Sequence, residues 1–173
     1  MKILSMELEN FRQYYGKQKI NFASEDRNRN ITIVFGENGK GKTGIFRALM
    51  FALYNATHIQ QDNPSEKIHL VNLLLLEEKL GAMCKASVTV LFEHNGKKYE
   101  ISRSIAGVKT NNRIQERNGS VKLYEIDVDG NYSPTPIEDT VEVGKIMNQI
   151  LDSEIKDFFL FDGEKIDTLA KTT

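Results

Sequence analysis

The sequence predicts an α/β fold with a mixed sheet and an antiparallel β-subdomain, and three observations predict it. Ile31–Phe35 (ITIVF) is a short, nearly continuous apolar run, the pattern of a strand covered on both faces. A glycine-rich segment follows it. Phe46, Leu49, Met50 and Leu53 then repeat with the spacing of one helix face, so strand, loop and helix come in that order. From Ala86 to Val128 the period changes to two, with Asn95-Gly96 and Asp129-Gly130 as tight turns.

The elements fall in sequence as follows. Lys2–Glu9 alternates, with Leu4, Met6 and Leu8 on one side and Ser5, Glu7 and Glu9 on the other, which predicts a half-covered strand. Gly16 marks a turn and Lys17–Phe22 the returning strand. Ser24–Asn30 is a charged loop, and Thr57–Pro64 a polar, flexible one. Ser65–Leu80 reads as a helix closed by Gly81. Ala86, Val88, Val90 and Phe92 form a strand that returns through Tyr99, Ile101 and Ile105. Gly107–Asn118 reads as a mobile polar stretch before a strand over Val121–Val128. Val143, Ile146, Met147, Ile150 and Leu151 mark an amphipathic helix, and Phe158–Phe161 a short strand. The chain stops at Lys171-Thr172-Thr173, in what reads as the opening of a further helix, and so reads as truncated.

Composition narrows the function classes. The chain has 173 residues, enough for one domain with its own core. A net charge of −1 rules out a whole-chain basic field for nucleic acid, though not a local patch. The one cysteine, Cys84, allows no disulfide framework and fits a reducing compartment; it reads as a small buried apolar residue. The N-terminus carries no signal-peptide pattern. The densest apolar stretch, Leu70–Leu76, is broken by Asn72 and falls far short of the ~20 residues of a membrane helix. A cytoplasmic location without membrane contact is expected.

The chemistry lies in GENGKGKT. Gly36, Gly41, Lys42 and Thr43 match every fixed position of G-x-x-x-x-G-K-[ST], the phosphate-binding P-loop. Glycines at 36, 39 and 41 let successive N–H groups turn inward around phosphate oxygens, and the helix that follows aims its positive end at the same point. Lys42 should reach the β- and γ-phosphates and the Thr43 hydroxyl should ligate Mg²⁺. Glu37, Asn38, Lys40 and Gly44 complete the expected cradle through their backbone N–H groups. ATP with Mg²⁺ is the expected ligand. Hydrolysis also needs a carboxylate near the metal or the attacking water, and FFLFDGE offers Asp162, with Glu164 a weaker candidate. A strand that merely ends in a turn explains the same residues equally well.

The opening LENFRQYYGKQKINF, the segment ITIVFGENGKGKTGIFRALMFALY and the later FFLFDGEKI together resemble the N-terminal half of an SMC-like ABC ATPase head. FFLFDGEKI looks most like DndD, the ATPase linked to DNA phosphorothioation. The resemblance implies a P-loop core over 1–56 and 138–173, with a helix and β-subdomain over 57–137. It implies that Arg12 touches the nucleotide phosphates. It also implies that Asp162 stands where relatives carry a glutamine that senses Mg²⁺ and the γ-phosphate. Lys42 and Asp162 are then the expected catalytic residues, and Thr43 and Asp162 the metal ligands. The partners it implies are a C-terminal lobe, a second head that dimerises on ATP, DNA through the full complex, and other DNA-modification or restriction proteins. The signature loop and the acidic strand of such heads do not occur in this sequence, so the chain alone should bind nucleotide and hydrolyse it very slowly or not at all.

Other readings stay open at this point. A stand-alone nucleotide-binding regulatory or DNA-binding module fits the chain as given. A small P-loop kinase or GTPase fits less well, because no arginine-bearing lid and no Asn-Lys-x-Asp motif stands out. Lys97, Lys98, Arg103, Lys109, Arg113 and Arg117 could form a DNA-facing patch, or a solvated hairpin in which Glu93, Glu100 and Glu116 balance them.

Overall fold

Alternation of apolar and polar side chains builds the first strand: Met6 and Leu8 are buried, and Glu7 between them is exposed. The structure, a computed structural model, describes residues 1–23, 30–37, 39–59, 62, 65, 67–111, 113–152, 154 and 156. Its elements are β1 (Lys2–Phe11), β2 (Tyr14–Asn21), α1 (Lys42–Tyr54), α2 (Leu73–Glu78), β3 (Met83–His94), β4 (Lys97–Thr110), β5 (Arg113–Ile126) and α3 (Thr140–Ile150).

The strands form one five-stranded sheet in the order β2-β1-β3-β4-β5. Every pairing in it is antiparallel, so among the described residues the sheet is not mixed. Met6 pairs with Val90 and Leu8 with Val88, which makes the N-terminal hairpin continuous with the β-block. The sheet therefore runs across the 56/57 boundary. Asn95 and Gly96 both take positive φ, 51° and 78°, as the tight β3–β4 turn requires.

Helices α1 and α3 cover one face of the sheet. Phe51, Ala48 and Ala52 are fully buried, and the Phe51 ring meets Phe11 with centroids 5.6 Å apart. Ala48 and Ala52, four residues apart, let the helix backbone approach the strands closely. Phe46 and Leu49 are only half-buried, so the packed face is rotated from the one that bulk hydrophobicity marks. On α3, Val143 and Met147 are buried, and the Asp139 side chain caps the helix by accepting from the Glu142 N–H at 2.8 Å. Among the described residues no helix is long and apolar enough to cross a membrane.

Several expectations need correcting. The first turn falls at Arg12-Gln13, where Phe11 pairs with Tyr14, and Gly16 lies inside β2. The helix expected over Ser65–Leu80 is confined to Leu73–Glu78, because Asn72 caps it: its side chain accepts from the Leu75 N–H, while Val71 bridges to Phe11. The stretch expected to be mobile over Gly107–Asn118 is sheet over its described residues 107–110 and 113–118. β4 and β5 pair down to Thr110 and Arg113, burying Ile105 and tucking the partly covered Ile114 against the core. The connection after α1 is anchored rather than merely polar: Ile59 is buried and Asp62 forms a buried ion pair.

The largest difference concerns Ile31–Phe35. It is irregular and exposed, not a buried strand: Ile31 is 76% and Phe35 87% accessible. Its composition asks for cover on both faces, and none of the described strands pairs with it.

Candidate nucleotide-binding site

The glycine segment still leads directly into α1, although the strand before it does not form. Gly41 takes φ 105° and caps α1, a backbone region that only glycine enters without strain. The first turn of α1 then begins at Lys42, and the Ile45 N–H is the first to bond back, to the Gly41 carbonyl at 3.2 Å. The N–H groups of Lys42, Thr43 and Gly44 have no helical acceptor and sit at the positive end of the helix.

Lys42 folds over the loop. Its Nζ donates to the Gly36 carbonyl at 2.6 Å and to the Glu37 carbonyl at 3.0 Å. An ammonium has three donors, so two staple the loop and the third remains for a ligand. The Thr43 hydroxyl makes no hydrogen bond among the described residues, which leaves an oxygen suited to a hard cation. Glu37 and Lys40 are exposed, joined through the backbone by Lys40 N–H to Glu37 O at 3.3 Å. Asn38 lies outside the described residues.

A cavity of about 400 Å³ opens here, lined by Arg12, Gln13, Gly39, Gly41, Lys42, Thr43, Gly44 and Arg47. Among the described residues the lining carries basic side chains and no carboxylate, which suits an anion. The glycine cradle, the lysine and the free threonine hydroxyl together fit a magnesium–nucleoside triphosphate. Lys42 and the amides would hold the phosphates, and Thr43 would offer its oxygen to the metal.

Arg12 enters from the β1–β2 turn, in a constrained conformation. It adopts φ 51°, uncommon for arginine. Its backbone N–H donates to Leu70 O at 2.7 Å, its carbonyl accepts from Asn72 Nδ2 at 2.6 Å, and its Nη1 donates to His69 O at 3.2 Å. The segment 69–72 is in turn held by Glu116 on β5, which accepts from the Val71 N–H at 2.7 Å. Arg12 also borders a second cavity of about 460 Å³ with Gln13, Ile68, His69, Leu73 and Leu74, so the two cavities meet at the hairpin turn.

Three further contributors have no signal in the sequence motif. Tyr14 donates its hydroxyl to the Gly41 carbonyl at 2.9 Å, and burial pushes that phenol above its usual pKa. Gln13 packs on Gly41 and Gly44. Arg47, buried on α1, forms a bidentate pair with Asp62 and donates to Thr57 O at 3.2 Å. The Arg47 hydrogen bond is the main reason that the Asp62 carboxyl lies below the ordinary aspartate range.

Asp162 and Glu164, with the whole of FFLFDGE, lie outside the described residues. The basic patch loses a member: Arg103 is buried and donates from Nε to Ala52 O at the end of α1, and burial lowers its pKa. Lys97 pairs with Glu125 and Lys109 with Glu77, which offsets two more of the six charges. Cys84 is a free, buried thiol as expected.

Comparison with known proteins places this arrangement. The AAA_23 family model, described as an AAA domain, matches residues 5–170. The SbcC subunit of nuclease SbcCD from Staphylococcus aureus strain MRSA252 is 29% identical over 132 residues, which are 76% of this chain and 12% of that protein. Its counterpart from strain JH9 matches at the same identity and coverage. The matched stretch is thus a small part of these relatives' length. A solved structure from work on "ATP-driven dimerization and DNA stimulated activation of SMC ATPases" aligns over 98% of both chains with 18% identity and a TM-score of 0.48. With a family model spanning nearly its whole length and a P-loop at the start of α1, the chain belongs to the AAA_23 family of AAA domains.

Proposed function

We propose that the chain is the ATP-binding N-terminal lobe of an SMC-like ATPase that works on DNA. The observation that carries this reading is Lys42: it closes the loop on Gly36 O and Glu37 O and leaves one donor facing an anion-suited cavity. Lys42 takes the β- and γ-phosphates and Thr43 the metal. Arg12 adds a cation at the cavity's edge. The second cavity, continuous through Arg12 and Gln13 and partly lined by Ile68, Leu73 and Leu74, takes the less polar end of the nucleotide.

The exposed Ile31–Phe35 run supports a lobe that is completed by another polypeptide segment. Hydrolysis then belongs to the completed head, with Asp162 as one contributor, and ATP brings two heads together. Partnership with a nuclease follows the SbcCD likeness. The narrower assignment, to a DndD-like protein of DNA sulfur modification, rests on the FFLFDGEKI segment alone.

Titration with magnesium–ATP tests this reading. Saturable binding that fails without Mg²⁺ and is absent with AMP is expected. Equal affinity for AMP and ATP would show that the P-loop does not hold the phosphate chain.

A further inference from the structure

The β1–β2 turn does more than deliver Arg12. The Gln13 side chain extends across the first turn of α1: a methyl placed on Gly41 would come within 2.6 Å of Gln13 Nε2, and one placed on Gly44 would overlap the same carboxamide. Gly44 is thus the residue whose missing side chain makes room for Gln13. The carboxamide is tethered from the other side, because the Tyr14 hydroxyl hydrogen-bonds Gln13 while donating to Gly41 O at 2.9 Å. An amide has two N–H donors, and Gln13 lines the same cavity as Lys42, Thr43 and Gly44.

Position along the phosphate chain follows from the loop. Lys42 marks the β/γ end and the loop amides the α/β end. Gly44 lies two residues further into the helix, and Gln13, packed on both Gly41 and Gly44, sits beside these amides. Gln13 also borders the second cavity, so it stands at the junction of the two.

We propose that Gln13 is a nucleotide-contacting residue whose carboxamide donates to the α-phosphate side of the bound nucleotide, in the space that Gly44 leaves open and with Tyr14 holding it there. The assignment rests on the P-loop reading above. It predicts a contact shared by ADP and ATP, unlike that of Lys42, which favours the nucleotide with more phosphates.

The test is titration of the chain and its variants with magnesium–ATP and magnesium–ADP, with thermal midpoints measured without nucleotide. Gln13→Ala should weaken both nucleotides by a similar factor of about five, the net worth of one ordinary hydrogen bond. Gln13→Glu keeps the shape but sets a negative charge against the phosphates, and should weaken both by more than about twentyfold with an unchanged midpoint. Gly44→Ala, which displaces the carboxamide, should match Gln13→Ala, and the double variant should be no weaker than either single one. If Gln13→Glu binds as the unsubstituted chain does, or no worse than Gln13→Ala, the assignment is overturned while the P-loop reading stands. If the unsubstituted chain binds neither nucleotide, both are overturned.

Discussion

Arg47 and Asp62 meet in a bidentate ion pair, nearly buried on both sides, that fastens the P-loop helix to the connection that follows it. Asp62 is further bound by the Ile59 N–H at 2.8 Å, and Arg47 reaches Thr57 O. The helix that presents Lys42 and Thr43 is thereby held at a point one turn beyond them.

Removing one member strands the other's charge. Asp62→Ala should destabilise the chain by about 3–5 kcal/mol, since an unpaired buried guanidinium remains. Replacing both, as Arg47→Met with Asp62→Leu, should recover much of that loss. Chemical denaturation of the two variants checks this. Equal destabilisation by the single and double changes would contradict it.

The same pair predicts an acid dependence. The folded pKa of Asp62 is depressed below its unfolded value, chiefly by Arg47. Its contribution is therefore complete above the ordinary aspartate pKa and is lost as pH falls through the depressed one. Thermal midpoints measured from neutral pH downward should fall more steeply for the unsubstituted chain than for Asp62→Asn. Parallel curves would remove Asp62 from the account.

Arg103 separates packing from nucleic-acid binding. It is buried against the last turn of α1, near carbonyls that favour a cation. Arg103→Ala should lower stability by about 2–3 kcal/mol. Lys98→Ala, an exposed change, should stay within about 0.5 kcal/mol. Any DNA affinity of the chain should follow Lys98, Arg113 and Arg117 rather than Arg103. Loss of DNA binding in a stable Arg103 variant would reverse that division.

Phe35 tests whether Ile31–Phe35 is a surface awaiting a partner segment. At 87% accessible it adds little to the chain's own stability, so Phe35→Ser should shift that stability by less than about 0.5 kcal/mol. Association with a completing lobe, read by co-purification, should nevertheless weaken. A large loss of stability would mean that Phe35 is buried within this chain.

Much of the fold was legible because it rests on local pattern. The alternation in β1 and β3, the Asn95-Gly96 turn and the α3 stripe are each set by neighbouring residues. What was not legible depends on distant ones. The β1–β2 turn sits at Arg12-Gln13 because Leu70, His69 and Asn72 hold Arg12 at positive φ, and no turn residue announces it. Gly107–Asn118 reads as polar, yet residues 107–110 and 113–118 of it pair as sheet. At the site, the motif from Gly36 to Thr43 carries its own mechanism, whereas Gln13 and Tyr14 reach it from the β1–β2 hairpin and the Arg47–Asp62 pair joins α1 to residues beyond the motif.

Lys42 carries the central claim, and magnesium–ATP titration of Lys42→Ala against the unsubstituted chain tests it most directly. The account predicts that the substitution, with an unchanged thermal midpoint, weakens ATP by at least about tenfold and ADP by less, because a charge-assisted contact to the terminal phosphates is gone. Equal ATP affinity in the two proteins would contradict it.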